Sequence, residues 1–130
     1  MRRSSLTALV VLLLLACPFA ASAADPLAGE WTISGRDPGA PEGVSEYEGR
    51  ARLTREGEGY RFEAEVDGST YRGVGLFDAA AGVFSLAFQC REDQEIGLSQ
   101  YRLNKGVLEG RWATLSAPGE VGLETWRKVR

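Results

Sequence analysis

The sequence predicts an all-β protein, an eight-stranded antiparallel meander closed into an up-and-down barrel. Eight short segments alternate apolar and polar residues, the connections between them are mostly short and glycine-rich, and the pattern Leu-x-Gly-x-Trp occurs near both ends, at residues 27–31 and 108–112. Alternation with a period of two is typical of a strand with one wet face. Closure removes exposed edges. An open two-sheet meander sandwich is the alternative, because periodicity alone does not show that the first and last strands pair.

The first 23 residues have the layout of a secretory signal peptide. Two arginines follow the initiator methionine, an apolar run comes next, and an Ala-Ser-Ala site ends at Ala23. We therefore expect a signal peptide at 1–23, one barrel domain at 24–130, and an exported protein that is periplasmic or secreted. The alternative is a lipid anchor at Cys17, which follows a lipobox-like Leu-Leu-Ala. Pro18, which breaks the apolar run before the Ala-x-Ala site, favours simple cleavage.

Composition excludes several classes of function. Without its leader the chain carries 13 basic and 18 acidic residues, a net charge of −5, which argues against nucleic-acid binding. The apolar run of the leader is shorter than the roughly 20 residues of a membrane-spanning helix, so no transmembrane segment is expected. Histidine is absent and Cys90 is the one cysteine outside the leader, so we expect no metal site, no cofactor, no internal disulfide and no enzyme. Cys90 is interpreted as a small apolar residue at a strand end, with an intermolecular disulfide as the alternative.

The first four strands are predicted at residues 31–34, 47–54, 60–67 and 71–77. The first two are separated by the longest connection, 35–46, which is rich in glycine and proline. Residues 60–67 alternate most strictly, so their register can hardly slip. Asp67-Gly68 is a strong hairpin signal. Gly73 and Gly75 inside the fourth strand indicate bends or close approach of the backbone.

The last four strands are predicted at residues 83–89, 97–103, 107–113 and 121–130. Residues 90–96 form a charged loop before the sixth strand, and a short turn at 104–106 precedes the seventh. The eighth strand is expected to follow a loop at 114–120 that contains a Pro-Gly pair.

Gly29-x-Trp31 at the start of the first strand resembles the G-x-W signature of the lipocalins and of the wider calycin barrels, which include avidin. The resemblance implies an eight-stranded barrel. In those families an arginine of the closing strand packs over the tryptophan, which implies this role for Arg127. The repeated Leu-x-Gly-x-Trp and two Tyr-x-Gly strand starts also resemble small exported bacterial β-proteins of unassigned function.

In a meander, the connections after odd strands meet at one end of the barrel and those after even strands at the other. The odd-strand end carries most of the loop length, so we call it the mouth. Its loops hold two arginines and eight acidic residues, a net charge of −6: Arg36, Arg91, Asp37, Glu42, Glu46, Asp67, Glu92, Asp93, Glu95 and Glu120. Such a field favours encounter with cations or basic proteins, although charged loops are often only solvated.

The same parity rule sorts the aromatic residues. Trp31, Trp112 and Trp126 are assigned to the far end, where they would form the floor of the barrel. The mouth is assigned four candidate ligand-binding residues, with space beneath them over Gly49, Gly73 and Gly75: Tyr47, Tyr71, Phe88 and Tyr101. A small ligand pocket and a fully packed interior both remain open. Glu124 alternates with Trp126, so it faces either inward, towards an arginine, or outward into solvent, and the outward orientation is favoured.

Two functions follow. The first is a non-enzymatic binding protein that takes a small apolar or aromatic ligand at the mouth. The second is a protein-interaction module or inhibitor that engages a basic protein through Glu92, Asp93 and Glu95. That loop lacks the Asp-x-Asp-x-Asp-Gly spacing of a dedicated calcium site. A hydrolase without histidine is the least favoured function.

Overall fold

The computed structural model describes residues 24–130, so the expected signal peptide and Cys17 lie outside the described residues. The described chain forms eight antiparallel strands, each hydrogen-bonded to its sequence neighbours, and β1 closes the barrel on β8. No helix within 24–130 is long and apolar enough to cross a membrane. The predicted closed meander is confirmed. The strands are β1 (Gly29–Arg36), β2 (Tyr47–Glu56), β3 (Gly59–Val66), β4 (Ser69–Asp78), β5 (Val83–Cys90), β6 (Ile96–Asn104), β7 (Val107–Thr114) and β8 (Ala117–Lys128).

Two of the four two-residue connections have positive φ at both of their residues. Asp67 and Gly68 have φ values of 47° and 80°, and Lys105 and Gly106 have values of 51° and 75°. Positive φ at both central residues is the geometry of a type I′ turn, whose twist matches that of the flanking strands. The Asp-Gly hairpin is therefore confirmed.

The last connection differs from the prediction. β8 begins at Ala117 instead of residue 121, so the expected loop at 114–120 is a two-residue turn followed by strand. Of the first six residues of β8, Ala117 and Gly122 have partners on β7, on either side of a register shift between Trp112 and Thr114, and β1 meets β8 only from Leu123 onward. Pro118 lacks a backbone N–H, and an unpaired edge beside a bulge is where a strand tolerates that loss.

The inward residues of all eight strands form one core. Trp126 lies at its centre, stacked on Phe62 with ring centroids 5.6 Å apart and packed against Tyr101 at 4.9 Å. Phe84 contacts both Trp126 and Tyr101. Since each aromatic side chain buries about 150–250 Å², these rings supply much of the apolar burial that stabilises the barrel.

The far end is closed by residues 25–31, before and at the start of β1. Leu27 is fully buried, and the indole Nε1 of Trp31 donates to the Leu27 carbonyl at 2.9 Å. Asp25 accepts hydrogen bonds from the backbone of this segment and from the Tyr60 hydroxyl, so the segment is held as a plug. Trp31 therefore lies at the floor, as predicted, whereas Trp126 lies deeper in the core, with its ring centroid 6.4 Å from that of Trp31.

The cation over Trp31 is Lys128, and the assignment of that role to Arg127 is wrong. The Lys128 ammonium lies 5.6 Å from the Trp31 ring centroid. Arg127 is exposed and pairs with Thr32, whose side chain also faces outward. Neighbouring strand residues face opposite sides of the sheet, so an error of one position moves a side chain from the barrel end to its outer wall.

Candidate functional site: a cavity at the barrel mouth

A cavity of about 370 Å³ opens between the odd-strand connections. We call it the mouth cavity. Its position agrees with the parity argument, because the residues that line it come from the β1–β2, β5–β6 and β7–β8 connections and from the adjoining strand ends. They are Pro38, Tyr71, Phe88, Cys90, Asp93, Glu95, Trp112, Thr114, Ser116, Ala117 and Glu120.

Two of the predicted ligand-binding residues form one aromatic wall. The rings of Tyr71 and Phe88 meet edge to face, with centroids 6.0 Å apart and planes at 69°. Burial, with smaller contributions from Cys90 and Asp93, raises the pKa of Tyr71 to about 12. The phenol is therefore a neutral group that offers a ligand both a ring and a hydroxyl.

Trp112 forms the opposite wall, so its predicted place at the floor is wrong. β7 begins at Val107, as predicted, so Trp112 is its sixth residue and lies near its mouth end; the floor prediction had placed Trp112 at the start of the strand. The indole Nε1 donates to the Tyr47 hydroxyl at 2.7 Å, and the two rings meet at a centroid distance of 6.5 Å. Tyr47, the third predicted mouth residue, thus fixes Trp112 by a hydrogen bond and a ring contact, and it is absent from the cavity lining.

The expected space above glycines is filled by aromatic rings. A Cβ at Gly122 would overlap Trp112, one at Gly97 would overlap Phe88, and one at Gly35 would overlap Tyr47. At Gly75 the Phe84 ring occupies this space, while Gly49 and Gly73 lie against neighbouring backbone carbonyls. A ring laid flat over a glycine covers backbone that no side chain protects. The interior below the mouth cavity is therefore packed, and the cavity is confined to its upper end.

The fourth predicted mouth residue, Tyr101, lies in the core instead, with 2% of its surface exposed. Its hydroxyl donates to Oε2 of Glu124 at 3.1 Å, and the Trp126 indole donates to Oε1 at 3.2 Å. The favoured outward orientation of Glu124 is thus wrong, and its partners are aromatic donors rather than an arginine. Burial raises the pKa of Glu124 to about 7, against the lowering effect of the Trp126, Tyr101 and Tyr47 hydrogen bonds. Its alternation with Trp126 was the signal that could have placed it inside.

Two of the carboxylates predicted to contact a basic protein, those of Glu92 and Glu95, also hold the mouth loops together. Glu92 accepts hydrogen bonds from the backbone N–H and hydroxyl of Thr70, and these lower its pKa to about 2. Glu95 accepts from the backbone N–H and hydroxyl of Ser116, which lowers its pKa. Asp93 accepts from the Glu95 backbone and lines the cavity together with Glu95, whereas Glu92 does not. The Cys90 thiol is buried and faces Glu92.

A second depression, of about 460 Å³, lies on the outer wall across β1 to β4. Charged side chains of both signs line it, and Arg50 lies opposite Glu65 while Arg52 lies opposite Glu63. Opposite charges directly across two strands stabilise each other and leave little net field for a ligand. The mouth cavity, with its aromatic walls and one sign of charge, is the better candidate site.

Within residues 24–130, no group of three or more acidic, cysteine or histidine side chains converges closely enough to hold a metal ion. The mouth carboxylates are therefore spread around the opening and do not form a cage.

No protein-family model matches the chain, and no curated protein matches it significantly. Among solved structures, apo Caenorhabditis elegans lipid binding protein 8 is similar at 12% identity and a TM-score of 0.47, over 80% of this chain and 96% of that one. Secretory abundant heat soluble protein 4 of Ramazzottius varieornatus has 12% identity, a TM-score of 0.47 and coverages of 81% and 96%. Echinococcus granulosus fatty-acid-binding protein 1 has 12% identity, a TM-score of 0.48 and coverages of 81% and 98%.

These distant likenesses do not indicate what this chain binds. The described chain is nevertheless a closed, eight-stranded up-and-down barrel, which is the architecture that the calycin resemblance implied.

Proposed function

We propose that this chain is an exported binding protein that takes a small apolar or aromatic ligand in the mouth cavity. The observation that carries the proposal is the cavity itself, which opens between the longer loops and is walled by Tyr71, Phe88 and Trp112. Its volume of about 370 Å³ is at the lower end of the roughly 300–1,000 Å³ typical of small-molecule sites. A ligand of one ring or a short chain fits that space.

Its walls are already in place without a ligand. Tyr71 packs on Phe88, and Trp112 is fixed by its hydrogen bond to Tyr47. A ligand that enters therefore need not order these rings, and the entropic cost of binding is reduced. The export part of the proposal depends on the leader sequence, with a lipid anchor at Cys17 as its alternative.

The alternative, capture of a basic protein by the acidic loops, uses the same end of the barrel. It is less well supported because Glu92 and Glu95 are bonded to Thr70 and Ser116. A flat protein surface would also leave the cavity between the loops unfilled.

The proposal is tested by titrating the protein with small aromatic and aliphatic compounds and following tryptophan fluorescence and indole NMR signals. We expect saturable binding that shifts the Trp112 signal and weakens about tenfold in Phe88→Leu, a loss of about 1.4 kcal/mol, because buried aromatic anchors are among the few contact residues that cost this much when truncated. Phe77→Leu is the matched control, because Phe77 is half-buried like Phe88 but lies at the far end of the barrel, near the end of β4. Equal effects of the two variants, or no saturable shift with any compound, would contradict the proposal.

A further inference from the structure

The mouth cavity has charge of one sign only. Three carboxylates line it, those of Asp93, Glu95 and Glu120, and no lysine or arginine is among its lining residues. Glu120 has an exposed side chain near the start of β8, and Asp93 and Glu95 come from the β5–β6 connection. The opening is therefore flanked by acidic groups on two sides.

The interior below the cavity is also without a cation. Trp112, at the cavity wall, bonds to Tyr47, and the carboxyl of Glu124 is held by Tyr101 and Trp126 deeper inside. Every lysine and arginine within 24–130 is exposed except Arg36 and Lys128. Arg36 donates to the Pro41 carbonyl in the first loop, and Lys128 lies over Trp31 at the opposite end.

This distribution selects the charge of a ligand. An organic anion in the cavity would lose hydration, gain no counter-charge and face the carboxylates of Asp93, Glu95 and Glu120. A cation would be attracted by them and would also meet the side chains of Tyr71, Phe88 and Trp112, whose ring faces offer cation–π contacts.

Within residues 24–130 no group of carboxylates converges closely enough to hold a metal ion, which argues against a metal ion as that cation. An organic cation, in contrast, spreads its charge over a larger radius and does not require ligands at fixed short distances. Aromatic walls with acidic groups at the rim are suited to an ammonium group carried on an apolar body.

We propose that the mouth cavity binds an organic ammonium compound, a substituted amine or a quaternary ammonium with a small apolar or aromatic body. This inference rests on the proposed function, and it adds the charge of the ligand to it. The carboxylates of Asp93, Glu95 and Glu120 supply the attraction, and the rings of Tyr71, Phe88 and Trp112 enclose the cation and its body.

Three probes of nearly equal shape separate charge from shape: phenyltrimethylammonium, its neutral isostere tert-butylbenzene, and the anion benzenesulfonate. Binding is followed through the Trp112 indole NMR signal at low and at high NaCl. We expect the cation to bind about tenfold or more tightly than the neutral isostere and to weaken with salt, and the anion to bind most weakly.

The charge contribution is tested in Glu120→Gln, because no hydrogen bond of the described chain uses the Glu120 side chain. We expect about a fivefold loss of affinity for the cation and no change for the neutral isostere. Glu63→Gln, on the outer face of β3, is the matched control and should change neither.

The outcomes distinguish the two proposals. Equal affinity for cation and neutral isostere, or preference for the anion, overturns the ammonium inference and leaves the small-ligand proposal standing. If none of the three probes binds, and the wider set of compounds also fails, the small-ligand proposal falls and the ammonium inference falls with it.

Discussion

Replacing Glu124 by glutamine should change how the stability of the barrel depends on pH. The pKa of this buried carboxyl rises from 4.5 to about 7 in the folded protein, so the folded state holds its proton more tightly than the unfolded chain does. Stability therefore falls as pH rises from 4.5 to 7, because the unfolded state releases this proton first. The loss amounts to about 3 kcal/mol at pH 7.5, since each pKa unit corresponds to about 1.4 kcal/mol.

Glutamine cannot ionise, so Glu124→Gln removes this pH-dependent loss of stability while keeping the size of the side chain. We expect Glu124→Gln to be about as stable as the parent protein near pH 4.5 and up to about 3 kcal/mol more stable at pH 7.5. The amide cannot replace both charge-assisted bonds from Tyr101 and Trp126, so the observed gain should fall below that limit.

Urea unfolding followed by tryptophan fluorescence at pH 5, 6, 7 and 8 measures the effect. Glu109→Gln, which removes an exposed carboxyl from the outer face of β7, is the control and should follow the parent curve. A stability difference between Glu124→Gln and the parent that is the same at pH 5 and pH 8 would refute the reasoning.

Three further predictions concern packing and processing. Gly122→Ala should lower the free energy of unfolding in urea by about 1–3 kcal/mol and disturb ligand binding, because the added Cβ would overlap the indole of Trp112. Gly119→Ala, on the same strand, should be nearly neutral, because a Cβ there meets nothing within 4 Å. Lys128→Ala should lower the stability of the barrel by about 0.5–1 kcal/mol, because it removes the cation–π contact with Trp31, and Arg127→Ala, at an exposed position, should lower it less. A larger loss of thermal stability in Arg127→Ala than in Lys128→Ala would count against the contact between Lys128 and Trp31. Under the proposal of export with simple cleavage, the intact mass of the protein should correspond to residues 24–130, and a lipid-modified mass would refute simple cleavage.

The acidic mouth has a structural role as well as a candidate binding role. Glu92 and Glu95 join the β5–β6 connection to the two neighbouring hairpins through Thr70 and Ser116. Charge reversal at these positions would therefore loosen the loops as well as change the field. Glu120 is the better probe, since its side chain takes no part in these bonds.

The sequence by itself determined the number and order of the strands, most of their connections and the end at which the loops meet, whereas the β7–β8 connection was predicted too long. Strict alternation at residues 60–67 gave both the strand and its buried face, because the period of a strand is fixed by its geometry. Asp67-Gly68 gave the tight hairpin, since few other residue pairs adopt positive φ twice in succession. Parity along the meander also placed Tyr71 and Phe88 at the mouth.

Only the tertiary structure decided what depends on exact register across the barrel. A shift of one residue exchanged Arg127 for Lys128 over Trp31, and closure of the barrel brought Tyr47 of β2 against Trp112 of β7. The inward orientation of Glu124 depends on two hydrogen-bond donors: Tyr101, on β6, and Trp126, two residues further along β8. Local pattern fixes which faces alternate, but closure of the barrel fixes which side chains share its interior, and a single step of register changes that assignment.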